Sequence, residues 1–252
     1  MNTLKAAWIL PLLSVGLQLP PDSTETRFGY SGGGGNYSFI TRDCSGNAVR
    51  ATEIPFAASS GSIEQQISDV IWIGARIESF KRKKIREYDQ VATYNREIED
   101  FDYVTVDRST GTVLVSYVAL EGKNAGIAAG IMHPTKKFTL GNVSFERNQP
   151  CGRVRLGRLD RWHVEGSYGF NTPLVAGGGF IDIGLGYPID HAGGRIWFGV
   201  DTGPYEASGL LVKLNTRIAK GFYLTGTGRL GSAGGVATER AVSVGITYRW
   251  KH

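Results

Sequence analysis

The sequence of 252 residues has no long apolar run outside its first twenty residues. A membrane-crossing helix needs about 18 or more consecutive apolar residues, and the single N-terminal candidate is shorter. Helical periodicity is weak almost throughout, which argues against a helical domain. Cysteine is scarce, with only Cys44 and Cys151. Neither has a second Cys or His at ligand spacing, so no metal site and no cofactor are expected. There is no zinc-finger or helix-turn-helix pattern. The formal charge of +5 is scattered along the chain, so no nucleic-acid partner is expected. No internal repeat or linker marks a second folded domain.

Glycine is plentiful, at 35 residues, and apolar residues make up only 41 %. The dominant pattern is alternation with a period of two. In Ala241 to Trp250, Val242, Val244, Ile246, Tyr248 and Trp250 share one face. Ala241, Ser243, Gly245, Thr247 and Arg249 share the other. The pattern recurs around Ile71, Ile73 and Ile77, and again around Trp162, Val164, Tyr168 and Phe170. It returns at Ile181, Ile183 and Leu185, at Leu210 and Val212, and at Phe222 and Leu224. A soluble sandwich also alternates, but it turns the apolar face inward.

About twelve candidate strands follow, at 27–42, 54–67, 70–82, 112–121, 124–133, 138–158, 161–171, 178–187, 194–202, 207–218, 221–230 and 240–250. Less regular early strands leave ten to about fourteen open. The connections at Ser68-Asp69, Gly122-Lys123, Leu159-Asp160, Pro188–Gly193 and Ala219-Lys220 are short. Those at 43–53, 83–111 and 134–152 are long. All the long ones fall at one end of an up-and-down sheet. Trp162, Tyr187, Phe222 and Trp250 sit at strand ends and would all lie near one rim, as an interfacial aromatic girdle requires.

The C-terminal strand, with Tyr248 and Trp250 closing an apolar alternation, resembles the terminal strand of Gram-negative outer-membrane β-barrel proteins. Lys251-His252 after the aromatic departs from that pattern. The resemblance implies an all-β fold, a closed antiparallel transmembrane β-barrel in the cell outer membrane. It implies membrane lipids as partners, including outer-leaflet lipopolysaccharide, and the barrel-insertion machinery acting on the last strand. It names no subfamily and gives no oligomeric state.

The N-terminus reads as an export signal over residues 1–19, with the barrel over 20–252. Lys5 supplies the positive start and Ala6 to Leu17 the apolar core. Ser14 and Gly16 match the cleavage rule loosely, and Pro11 and Pro20-Pro21 argue against a buried first element.

An exported chain meets an oxidising compartment, so a Cys44–Cys151 disulfide between outer loops is expected. The face opposite the apolar one carries Arg76, Glu78, Glu165, Asp182, Arg195, Asp201, Lys213, Arg217, Arg229 and Arg249. These are the candidate lumen-lining residues. Charges there must be wet or paired. The small cationic excess would favour anions in an open pore.

His163, Glu165 and Ser167 are the parts of a hydrolase triad on one face. Neighbours at i and i+2 stand about 7 Å apart along a strand, too far for direct contact, so no catalysis is assigned and lipid hydrolysis is the third choice. Gly226 to Gly231 matches a dinucleotide motif by letter but lacks the helix it needs. Gly32 to Gly35 suggest close packing near barrel closure. Lys81, Arg82, Lys83, Lys84 and Arg86 suit either lipid phosphates or a solvated loop base facing the acidic stretch Glu97 to Asp102. The expected function is passive passage of small solutes. The alternative is a non-conducting barrel that binds a partner or anchors a scaffold, favoured by the long 83–111 connection.

Overall fold

The computed structural model describes residues 24–82, 86–89, 110–135, 137–140, 143–170, 181–189, 194–202, 208–233 and 237–251. The N-terminal export signal lies outside these residues. The strands are β1 (Glu25–Arg42), β2 (Ala48–Gln66), β3 (Ile71–Arg82), β4 (Arg86–Asp89) and β5 (Thr110–Glu121). They continue as β6 (Ala125–Pro134), β7 (Phe138–Leu140), β8 (Val143–Phe145), β9 (Gln149–Gly157) and β10 (His163–Tyr168). The last five are β11 (Ile181–Pro188), β12 (Arg195–Thr202), β13 (Ser208–Ala219), β14 (Phe222–Ala233) and β15 (Ala237–Lys251). Among the described residues there is no helix.

Twelve of these strands close into an antiparallel barrel, with β1 paired to β15 on one side and to β2 on the other. Closure leaves no free edge in the ring. The alternation sets the two faces. Ile73, Ile77, Val118, Ile127, Ile183, Val200, Val244 and Ile246 are exposed on the outside. Trp72, Val115, Tyr117, Trp197, Leu211 and Ser243 are buried inside. Water would not tolerate so large an apolar exterior, whereas hydrocarbon requires one.

The long connections carry more structure than the sequence suggests. β2 extends back to Ala48, so only a tight turn remains of the loop at 43–53. Asp43 holds that turn, its carboxylate accepting from the backbone N–H of Asn47 at 2.8 Å and of Ser45 at 2.9 Å. The Asn47 N–H above all keeps the Asp43 carboxyl below its ordinary pKa. Part of the 83–111 segment pairs as β4 with β2, from Arg50↔Asp89 to Glu53↔Arg86. The stretch 138–158, expected as one strand, is instead the small β7–β8 hairpin followed by β9. In the sequence, Gly141-Asn142 interrupts an otherwise apolar alternation.

Phe170 is a second correction. Alternation places it outside, but it is buried inside. Gly169 adopts φ +61°, which ends the extended phase one residue early and turns Phe170 inward.

The glycine run of β1 lies on the closing seam. A Cβ at Gly33 would stand 2.3 Å from the Val242 carbonyl oxygen and 2.7 Å from Ser243 Cα. Those are backbone atoms of β15 and cannot swing aside. Gly33→Val is therefore expected to cost about 1–3 kcal/mol through overpacking. The check is the urea midpoint of the folded band on a semi-native gel. A Cβ at Gly228 meets nothing within 4 Å, so Gly228→Val should leave that midpoint unchanged or raise it.

Candidate functional site

The inward face divides into two levels. At the end of the long connections the interior is dry. Tyr37, Phe56, Phe80, Val113, Val115 and Met132 pack there in one cluster. Tyr37 stacks on Phe56 with ring centroids 4.9 Å apart, and Phe80 lies 5.7 Å from Phe56. Phe145, on β8 of the outer hairpin, joins the cluster with 0 % of its surface exposed. Beside the cluster, with Glu239 the register partner of Tyr37, the same level holds an ion triplet. Arg229 Nε donates to Asp201 at 2.7 Å, and the other end of its guanidinium pairs with Glu239. Arg76 pairs with Glu78 at 2.5 Å and donates to the Phe170 carbonyl.

Toward the short-turn end the interior is charged and partly wet. Arg27 pairs with Glu25 and with Glu64, at 2.5 and 3.4 Å. The Tyr117 hydroxyl donates to Glu64. Arg153 and Arg155 share Glu121, and Arg155 also donates to the carbonyls of Gly122 and Gly157. Nearer the outer ends of β10 and β11, Lys213 reaches Asp182, the register partner of Asp201, at 3.4 Å, and Asp182 also accepts from the Ser167 hydroxyl at 2.9 Å. Aromatic faces floor this level. Arg27 lies over Trp72 at 3.9 Å, Lys213 over Trp197 at 4.1 Å and Arg249 over Tyr223 at 3.8 Å. Such contacts keep a cation attracted while leaving its edges for other partners.

The sequence matches no described protein family and no characterised protein. Solved structures do match. An outer-membrane channel from Pseudomonas putida F1 superposes with a TM-score of 0.50 at 10 % identity, over 92 % of this chain and 97 % of that one. The chain has the closed antiparallel barrel fold of outer-membrane β-barrels. Looser matches are the toluene transporter TodX from Pseudomonas putida, at TM-score 0.40, 9 % identity and 91 % and 89 % coverage, and the outer-membrane protease OmpT from Escherichia coli, at 0.35, 12 %, and 94 % and 99 %.

Within the barrel, nine of the ten candidate lumen residues lie inside: Arg76, Glu78, Glu165, Asp182, Arg195, Asp201, Lys213, Arg229 and Arg249. Arg217 does not. It is exposed at the short-turn rim and donates to the Ala219 carbonyl at 3.3 Å, where the register of β13 shifts. Trp162, Tyr187, Phe222 and Trp250 are all exposed at that rim, and Trp162 packs on Tyr187 with centroids 4.5 Å apart.

The expected disulfide is absent: both cysteines are free. Cys44 is exposed in the turn between β1 and β2. Cys151 is inside β9, not in a loop, and is buried in the apolar cluster. His163, Glu165 and Ser167 share a strand face but not a contact network. Ser167 donates to Asp182, while His163 Nδ1 meets the Arg161 carbonyl at 3.1 Å.

Arg27, Glu64, Glu121, Arg153, Arg155 and Glu239 are lumen residues that the sequence reading missed. The signal was available for most of them. Arg153 and Arg155 sit out of phase with Val154 and Leu156, and Arg27 sits out of phase with Phe28. Glu239 precedes the candidate strand 240–250, whereas β15 begins at Ala237.

Proposed function

We propose that the barrel passes small solutes and that its outer half is closed at rest. The observation that carries this reading is the division of the inward face. A hydrophilic pore keeps a polar lumen from end to end. Here the outer level is apolar or internally ion-paired, and Phe145 is brought into it by an outer hairpin. The inner level keeps partly solvated charges. Moving β7–β8 would remove Phe145 and join the two levels. The likeness to an outer-membrane channel supports the same direction through the fold alone. In this reading the host is a Gram-negative cell, the outer rim meets lipopolysaccharide, and β15 is what the insertion machinery engages. No catalysis is assigned to His163, Glu165 or Ser167.

The test is single-channel conductance of the refolded chain in a planar bilayer. A gel of heated and unheated sample first establishes that the barrel is folded. Wild type is expected to give small, infrequent steps. Replacing residues 138–145 by a short Gly-Ser linker should raise conductance severalfold. A second reading, a non-conducting surface binder, is favoured by the ribbon of β1, β2 and β4 at the outer end. Silence from both folded proteins would select it.

A further inference from the structure

The short-turn rim is basic. Lys123, Arg161, Arg217, Lys220 and Lys251 are exposed there, and Arg158 is partly exposed. Among the described residues, the exposed carboxylates of this rim are Asp69 and Asp160. Asp190, in the β11–β12 connection, lies outside the described residues. Asp160 is taken by Arg158, whose Nε donates to it at 2.8 Å. Lys251 stands opposite Glu25 in the register, but Glu25 is buried and already holds Arg27 at 2.5 Å. Lys123, Arg161, Arg217 and Lys220 have no carboxylate partner among the described residues.

Backbone hydrogen bonds gather these cations into two groups. The Gly157 N–H donates to the Asn124 carbonyl at 2.8 Å, which ties the turn holding Lys123 to the turn holding Arg158 and Arg161. The Arg249 N–H donates to the Gly221 carbonyl at 2.7 Å, which sets the β13–β14 turn, with Arg217 and Lys220, beside the end of β15 at Lys251. Exposed cations collected in this way raise the local potential and draw anions. Each group borders lipid-facing aromatics. Trp162, which packs on Tyr187, follows Arg161 in the chain. Phe222, just after Lys220 and Gly221, packs on Tyr248 with centroids 4.7 Å apart, and Trp250 precedes Lys251. Such rings sit at the headgroup level of a membrane. The long stems of lysine and arginine carry their charges just beyond it, at the depth of lipid phosphates.

We propose that the short-turn rim binds the headgroups of anionic phospholipids. The surface follows from the fold and the depth of the rim, and is independent of solute passage. A phosphodiester accepts charge-assisted hydrogen bonds from lysine and arginine. A zwitterionic headgroup brings its own ammonium group, which cancels much of the attraction. An anionic headgroup keeps it, which is worth about fivefold in affinity for each nearby Lys or Arg. The upper acyl chain of the same lipid lies on the aromatic stacks.

The probe is phosphatidylglycerol brominated high on its acyl chains. It is mixed into phosphatidylcholine vesicles holding the refolded full chain with the substitution Trp8→Phe. Bromine quenches indoles that touch lipid. Trp162 and Trp250 are exposed on the outside, whereas Trp72 and Trp197 are buried in the barrel. At low salt, phosphatidylglycerol is expected to outcompete phosphatidylcholine at these indoles by about fivefold. High salt should shrink that preference, because exposed charges are screened. The combined variant Lys123→Gln, Arg161→Gln, Arg217→Gln, Lys220→Gln should lose most of it while keeping the folded gel band. Changed in pairs, Lys123 with Arg161 should act on the Trp162 signal, and Arg217 with Lys220 on the Trp250 signal. Lys81→Gln, exposed at the opposite rim, should keep the preference. Equal quenching by the two lipids at low salt overturns the surface, as does an undiminished preference in the folded paired variants. Retention on peptidoglycan sacculi without any lipid preference would assign the rim to the cell-wall polymer and likewise overturn it.

Discussion

Arg229→Met is expected to lower the stability of the folded barrel by about 3–5 kcal/mol, the cost of breaking a buried ion pair from one side. The side chains of Arg229, Asp201 and Glu239 each have 0 % of their surface exposed. Methionine matches much of the arginine stem but supplies no donor. Two carboxylates would then remain in a dry site with their cation gone. The measurement is urea-driven unfolding in lipid vesicles, followed by the shift between folded and unfolded gel bands. The triple variant Arg229→Met, Asp201→Asn, Glu239→Gln should recover most of the loss, because no bare charge remains. A single Arg229→Met protein as stable as wild type would mean that water reaches the triplet, and the dry outer level would have to be abandoned.

The triplet also shows how far the sequence could be read. Asp201 and Arg229 were legible as inward residues because they alternate with Val200 and with Leu230, which face out. That they meet was not legible. β12 and β14 are separated by β13, and only the pairings Asp201↔Gly209 and Gly209↔Gly231 bring the two inward charges together. Gly209 is the enabling residue: a Cβ there would stand 3.0 Å from Asp201 Oδ1. A glycine in a strand reads as weak strand propensity. Its role as space for a neighbour's side chain appears only with the register.

The same holds for several other glycines. Trp197 lies across Gly199 and Gly184, where an added Cβ would come within 2.1 and 2.6 Å of its ring. Tyr117 covers Gly74 and His163 covers Gly186 in the same way. Large inward side chains are thus seated over glycines of their own or adjacent strands, which accounts for part of the glycine-rich composition. Strand order, strand number and the two faces follow from alternation and connection length, both local in sequence. Side-chain meetings across the lumen follow from register and closure, which are not local. That is why Phe145 was unreadable as an interior residue: it belongs to a short hairpin off the ring. It is also why Cys151 was misplaced. The β9 boundary fell inside a segment whose apolar alternation continued through the hairpin.

Val244→Arg is the other large expected effect, and it tests the outward face. Val244 is at the middle of β15, exposed on the outside, with register partners Gly32 on β1 and Gly226 on β14. An arginine at bilayer mid-depth on a barrel exterior costs about 2–4 kcal/mol, and near the interface about 0–1 kcal/mol. The same strand supplies the comparison. Trp250→Arg, six residues on at the rim, should cost much less for its charge because the guanidinium reaches the headgroup level. Both are measured as unfolding free energies in vesicles of one lipid composition. Shortening the lipid chains should narrow the difference, since a thinner hydrocarbon layer brings position 244 nearer to water. A loss at Val244 no larger than that at Trp250, and insensitive to lipid thickness, would mean that this face does not lie in hydrocarbon. The depth dependence also tests the lumen argument. Residues of β15 in phase with Val244 face lipid, so those in phase with Arg249 must face the interior, where the cation needs a partner.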